Sequence, residues 1–175
     1  DPNVIHVAGK IDPISDIEVI NTELALADLQ TVDKQLARYT KIAKSGGDKE
    51  AKRLVDALEK ILPALNEAKP VRSVDLYDEE KDVLRPLFLL TAKPTMYVAN
   101  VEEHGFEGNP LLECVREYAA KEGAPVVAVC AKIESELSEL EGAERQEMLE
   151  ALGFKEPALD KLARSAYHLL GLQSF

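Results

Sequence analysis

At 175 residues, with 46% hydrophobic and 5% aromatic content and no tryptophan, the chain can build one domain-sized core from aliphatic side chains. No stretch approaches the ~18 uninterrupted apolar residues of a membrane-spanning helix, so no membrane partner is expected. A formal net charge of −11 argues against a chain that coats nucleic acid with its whole surface.

Asp1-Pro2-Asn3 shows neither an initiator methionine nor the charged and apolar blocks of a signal peptide, so an excerpt of a longer protein is expected. Residues 4–8 form a short β-rich run before Gly9 and predict a strand. Asp12-Pro13 reads as an N-cap and first helical position, where proline's missing N–H costs nothing. From there to about Lys44 no glycine or proline interrupts the pattern, and Leu29, Val32, Leu36, Tyr39 and Ala43 recur in steps of three and four. Ser45-Gly46-Gly47-Asp48 breaks this helix, with Asp48 as the cap of the next. The second helix spaces Ala51, Leu54, Leu58, Ile61, Leu65 and Ala68 along one face, so the pair predicts an antiparallel coiled-coil hairpin. Pro63 removes one backbone bond and predicts either a bend or the end of tight pairing. A short helix over 78–85 leads back from the hairpin.

Residues 95–99 are apolar and β-rich, which predicts a strand ending at Asn100. A polar loop over 100–110 and an amphipathic helix over 111–123 follow. Residues 125–130 are continuously apolar, the mark of a strand covered on both faces. An acidic helix begins near Ala131, and a last helix after Leu159 carries Leu162, Ala166, Leu169 and Leu170 as its stripe. Strand, loop and helix, twice over, is the pattern of a parallel α/β sheet. The hairpin interrupts it.

In such a sheet, ligands collect beyond the carboxyl ends of the strands. Asn100 stands at that place, with Glu103 three positions on. The amide both donates and accepts, and the carboxylate accepts ring N–H protons, so the pair suits a small heteroaromatic ring. Cys114 and Cys130 lie sixteen positions apart without histidine pairs nearby, which makes a poor zinc site and predicts reduced, buried thiols in a cytosolic protein. His6, His104 and His168 are scattered among different elements. Neither a metal site nor a catalytic set is expected within the chain.

Charge is uneven along the sequence. Residues 33–72 hold ten Lys or Arg against six Asp or Glu, a local +4 that leaves −15 for the remainder. Lys34, Arg38, Lys41, Lys44, Lys49, Lys52 and Arg53 crowd towards the tip of the hairpin. Two readings are open for them: solvated helix faces, which are normally charged, or contact with RNA phosphates that would weaken with salt.

Several longer segments resemble the YchF family, the Obg-like ATPases. These are residues 6–13 (His-Val-Ala-Gly-Lys-Ile-Asp-Pro), 21–29 (Asn-Thr-Glu-Leu-Ala-Leu-Ala-Asp-Leu), 47–51, 59–63, 90–100 (Leu-Thr-Ala-Lys-Pro-Thr-Met-Tyr-Val-Ala-Asn) and 131–136. The match is sustained over essentially the whole chain. It implies a P-loop domain with a coiled-coil insertion and a C-terminal TGS domain, ATP and often GTP hydrolysis with magnesium, and association with ribosomes. Against that plan, the chain has neither the Gly-x-x-x-x-Gly-Lys-Ser/Thr loop nor the TGS domain, so hydrolysis by this piece alone is not expected.

The resemblance also assigns base recognition. GTP-binding proteins carry Asn-Lys-x-Asp where this chain has Asn100-Val101-Glu102-Glu103, so Val101 replaces the lysine and Glu103 the aspartate. Asn100 is implied to hydrogen-bond the purine and Val101 to contact adenine through backbone and side chain, and for Glu103 both a contact with the base and a side chain pointing elsewhere are open. Cys130, Ala131 and Lys132 stand where related GTPases place Ser-Ala-Lys, a turn whose N–H groups meet the base. A buried thiol remains open for Cys130, and for Lys132 both a solvated lysine and stacking over the ring.

The expected fold class is therefore α/β: the C-terminal part of a Rossmann-like P-loop NTPase domain with an inserted antiparallel helical coiled-coil hairpin. Residues 1–22 and 86–175 are expected to belong to the nucleotide domain and 23–85 to the insertion. The parent protein is expected to be a cytoplasmic, ribosome-associated ATPase or GTPase. The alternative is a non-enzymatic helical interaction module that docks RNA or protein.

Overall fold

The computed structural model describes residues 11–46 and 48–172. The strand expected over 4–8 lies outside them. The chain divides into two compact units, one formed by Ser15–Pro94 and the other by Thr95–Phe175 with Asp1–Ile14.

The Ser15–Pro94 unit is helical. Helix α1 (Pro13–Gly46) starts at the proline expected to open it, and α2 (Lys49–Asn66) follows directly. Asp48 caps α2: its Oδ1 accepts from Glu50 N at 3.0 Å and Ala51 N at 3.2 Å. This satisfies two of the N–H groups that every helix start leaves open. Leu54, Leu58, Ile61 and Leu65 of α2 and Ala25 and Val32 of α1 are buried in one apolar cluster, with Leu29, Leu36 and Tyr39 packed against it. Leu58, Ile61 and Leu65 are almost wholly enclosed, and each such burial contributes about 1.5–3 kcal/mol.

Pro63 sits in the last turn of α2, which ends at Asn66. The helix closes with Lys69 N on Ala64 O at 2.8 Å and Ala68 N on Leu65 O at 3.0 Å, while Ala68 takes the left-handed conformation (φ 55°). That pair of bonds is the usual helix stop built around glycine, made here on alanine. Helix α3 (Asp78–Leu84) has Tyr77 as its cap residue. A short 3-10 turn over Arg85–Leu87 then absorbs Pro86.

A buried polar knot ties α1 to the returning chain. Asp28, 2% exposed, accepts from Leu90 N and Thr91 N, both at 2.7 Å, and from Thr91 Oγ1 at 2.6 Å. Thr91 Oγ1 accepts in turn from Val71 N at 3.0 Å.

The second unit contains the sheet. Strands β1 (Tyr97–Asn100) and β2 (Val126–Val129) pair in parallel, with Tyr97 opposite Val126 and Asn100 opposite Val129. Helix α4 (Pro110–Glu122) connects them, capped by Asn109 and stopped by Gly123 at φ 67°. Parallel neighbours need such a crossover. β1 begins two residues later than the sequence pattern suggests. Tyr97 N donates to Pro125 O at 2.9 Å, and β2 itself begins only at Val126, so Thr95 and Met96 have no ladder partner. An edge-on Tyr97–Tyr118 ring pair and a bond from Tyr97 Oη to Glu122 at 3.0 Å hold α4 against β1.

After β2 come α5 (Ala131–Glu139), α6 (Gly142–Ala151) and α7 (Ala158–Leu169). The pattern predicted one acidic helix where α5 and α6 stand. Leu140 is extended and Gly142 has φ 55°, which separates the two. Ile133 and Leu137 of α5 join Cys130 and Leu149 of α6 in a second apolar cluster, flanked by Phe106 and Phe154.

Candidate functional site

The ladder register puts Asn100 and Val129 side by side at the carboxyl ends of the two strands. The loop 101–109 and the Cys130 cap with the first turn of α5 therefore start next to each other. Every sequence-predicted base-side residue lies in this one region, although the two groups are some thirty positions apart.

Asn100 is exposed, and Val101 is buried, at 5% exposure, with its N–H donating to Val129 O at 2.8 Å. A ring seated beside the loop would meet little of the Val101 side chain. The loop then folds tightly: Gly105 N donates to Glu102 O at 2.9 Å, and Asn109 Nδ2 donates to Gly105 O at 3.1 Å. A Cβ on Gly105 would stand 3.2 Å from the Glu102 carbonyl oxygen, so glycine suits this close approach. Cys130 is buried (2% exposed) and caps α5 through its backbone, whereas Ala131 and Lys132 are exposed on the first turn. The first N–H groups of a helix have no partner within it, so this turn offers donors to a neighbouring acceptor.

Glu103 and Lys132 meet. The ammonium of Lys132 donates to Glu103 Oε1 and links the first turn of α5 to the loop after β1 by an ion pair. The hydrogen bond from Lys132, then its charge, hold the Glu103 carboxyl below the usual carboxylate range, and the same contact raises the Lys132 ammonium. The pair is exposed to solvent, so salt screens it. Nothing in the sequence announces this pairing, because its members are 29 positions apart and each resembles an ordinary solvated charge.

A cavity of about 480 Å³ opens elsewhere on the same unit, lined by Phe106, Val126, Ala128, Ile133, Glu134 and Phe154 among others. None of the base-side residues lines it. Among its charged groups, Glu134 accepts from Ala158 N at 2.7 Å and Leu159 N at 3.3 Å, and Glu113 and Glu156 pair with Arg116 and Arg164, while Glu107 and Lys161 also line it. The carboxyl-end region is the candidate because the sequence-predicted residues gather there. Among the described residues, no three His, Cys, Asp or Glu side chains gather to hold a metal ion.

In the helical unit, Lys34, Arg38, Lys41, Lys44, Lys49, Lys52 and Arg53 are all exposed. Arg38 lies over the Tyr39 ring at 5.3 Å. Among the described residues, the ion pairs of this unit involve other cations: Lys60, Lys69, Lys81 and Arg85.

Two parallel strands whose carboxyl ends lie side by side, with a long helical unit placed before them in the chain, define an α/β protein with its candidate site at that edge. No protein-family model matches the chain. It is similar to the ribosome-binding ATPase YchF of Haemophilus influenzae at 55% identity and of Escherichia coli O157:H7 at 54%, each over 99% of this chain and 47% of the relative. The Bacillus subtilis protein of the same name is 49% identical over 100% of this chain and 48% of its own length. The solved structure of the Schizosaccharomyces pombe YchF GTPase superposes with a TM-score of 0.84 at 28% identity, over 97% of this chain and 47% of that one. Over its whole length the chain is similar to YchF proteins, and it spans about half the length of the relatives it matches.

Proposed function

We propose that the full-length protein carrying this chain is a ribosome-associated P-loop NTPase that binds and hydrolyses ATP, with GTP as a second substrate. The observation that carries this reading is end-to-end identity of 49–55% with proteins named for ATPase activity and ribosome binding. In this reading the chain supplies the base-recognition half of a Rossmann-like nucleotide domain. Asn100 offers the purine a donor and an acceptor, the 130–132 turn offers N–H groups, Val101 supports the loop from its buried side, and Glu103 lies three positions beyond Asn100. Support comes from the ladder register, which brings both loops to one end of the sheet. Nucleotide phosphates and magnesium fall to residues outside these 175, since no Gly-x-x-x-x-Gly-Lys-Ser/Thr loop occurs among them.

Helices α1 and α2 act as an antiparallel coiled-coil arm, and its exposed cations meet ribosomal RNA phosphates. Their exposure also favours the second reading, a non-enzymatic docking module. The two part on hydrolysis, which the docking module lacks even at full length.

Calorimetric titration of the full-length protein with ATP and with GTP tests the first reading. Asn100→Ala should weaken both nucleotides by about five- to tenfold, the loss of one or two hydrogen bonds. A strong guanine preference in the unsubstituted protein, or no effect of Asn100→Ala, would overturn the assignment.

A further inference from the structure

We propose that Lys132 is a positioning residue that sets purine choice by holding the Glu103 carboxylate away from the edge of the base. The inference rests on the base-site reading above and goes beyond it by naming what disarms Glu103.

The chemistry is one of matching edges. Guanine presents two adjacent donors, and a free carboxylate accepts both at once. Adenine presents one donor beside a ring acceptor, and a carboxylate repels that acceptor. A free glutamate three positions beyond Asn100 would therefore favour guanine. In the structure it is not free. Its Oε1 already accepts from the Lys132 ammonium, which comes from the first turn of α5, just after the neighbouring strand.

The bridge spans loops that begin at the paired strand ends, where Asn100 lies opposite Val129. Both partners shift towards their charged forms, each chiefly because of the hydrogen bond to the other. The side chains keep 42% (Glu103) and 67% (Lys132) of their exposure, so the contact forms in solvent and its influence is modest and salt-dependent. No other side chain among the described residues hydrogen-bonds the Glu103 carboxylate. Removing the ammonium frees Oε1, so that both oxygens can face the base.

The test measures dissociation constants for ATP and GTP on the full-length protein and follows their ratio, in which phosphate contacts common to both cancel. Lys132→Ala should shift the ratio towards GTP by about two- to fivefold, the range of an exposed ion pair. Lys132→Arg should retain the original ratio. Adding Glu103→Gln to Lys132→Ala should abolish the gain, because an amide has one acceptor oxygen and sets an NH2 donor against guanine's second donor. Raising salt should move the unsubstituted protein towards the Lys132→Ala ratio and leave that variant's ratio in place. An unchanged ratio in Lys132→Ala, with Asn100→Ala still weakening both nucleotides, overturns the inference and leaves the base site standing. An Asn100→Ala variant that binds both nucleotides normally overturns the base site and the inference together.

Discussion

Asp28 illustrates what a single residue can hide. In sequence it sits within Leu24-Ala25-Leu26-Ala27-Asp28-Leu29 and reads as an ordinary helical acid. In the fold it lies on the buried stripe, three residues from Ala25 and four from Val32, and accepts three hydrogen bonds from Leu90 and Thr91. Burial of a carboxylate is tolerated only when its oxygens are satisfied this fully. Asp28→Ala strands two backbone N–H groups and a hydroxyl, at a cost of about 2–3 kcal/mol. Hydrogen exchange should quicken at the Leu90 and Thr91 amides in that variant, whereas Asp28→Asn, which keeps an acceptor oxygen, should lose less. Equal protection in all three proteins would refute the role. The same blindness applies to Glu103 and Lys132, whose identities are plain in the sequence while their pairing is not.

At the scale of elements, caps made by nearby residues were readable and caps made from afar were not. Asp48 and Asn109 each accept from N–H groups two and three positions ahead, which is the local geometry their residue types favour. Helix α7 has no such cap of its own, and Pro157 precedes it. Glu134 supplies the acceptors from α5, 24 and 25 positions away. Read in sequence, Glu134 merely opens an acidic helix; its carboxylate serves a different one. Glu134→Ala should fray the first turn of α7 and cost about 1–2 kcal/mol. The check is amide exchange at Ala158 and Leu159, with Glu134→Gln intermediate; unaltered exchange there would count against the cap. The split between α5 and α6 was also missed, since one glycine and one extended leucine make a weak signal beside continuous acidic helix formers.

Across the whole molecule, charge and chain order carry the functional reading. The exposed cations at 34–53 occupy one unit, while the base-side loops occupy the other. Reversing Lys41, Lys44, Lys49 and Arg53 to glutamate in the full-length protein should abolish co-sedimentation with ribosomes and leave circular dichroism unchanged. In the unsubstituted protein the association should weaken steeply with added salt, as phosphate contacts do. Undiminished ribosome binding by the reversed variant would reduce the arm to a solvated helix pair.

The sequence by itself determined the element types and the α/β order. Periodicity, caps and glycine stops act within a few residues of one another, which is why these were legible, and the resemblance to YchF proteins was carried by matching segments along the chain. Only the tertiary structure decided that Asp28 is a buried anchor, that Glu134 caps a distant helix, that Val101 turns inward, and that Lys132 holds Glu103. Each of those is a contact between residues far apart in the chain. Its existence depends on the register of the strands and the packing of the helices, which no local pattern encodes.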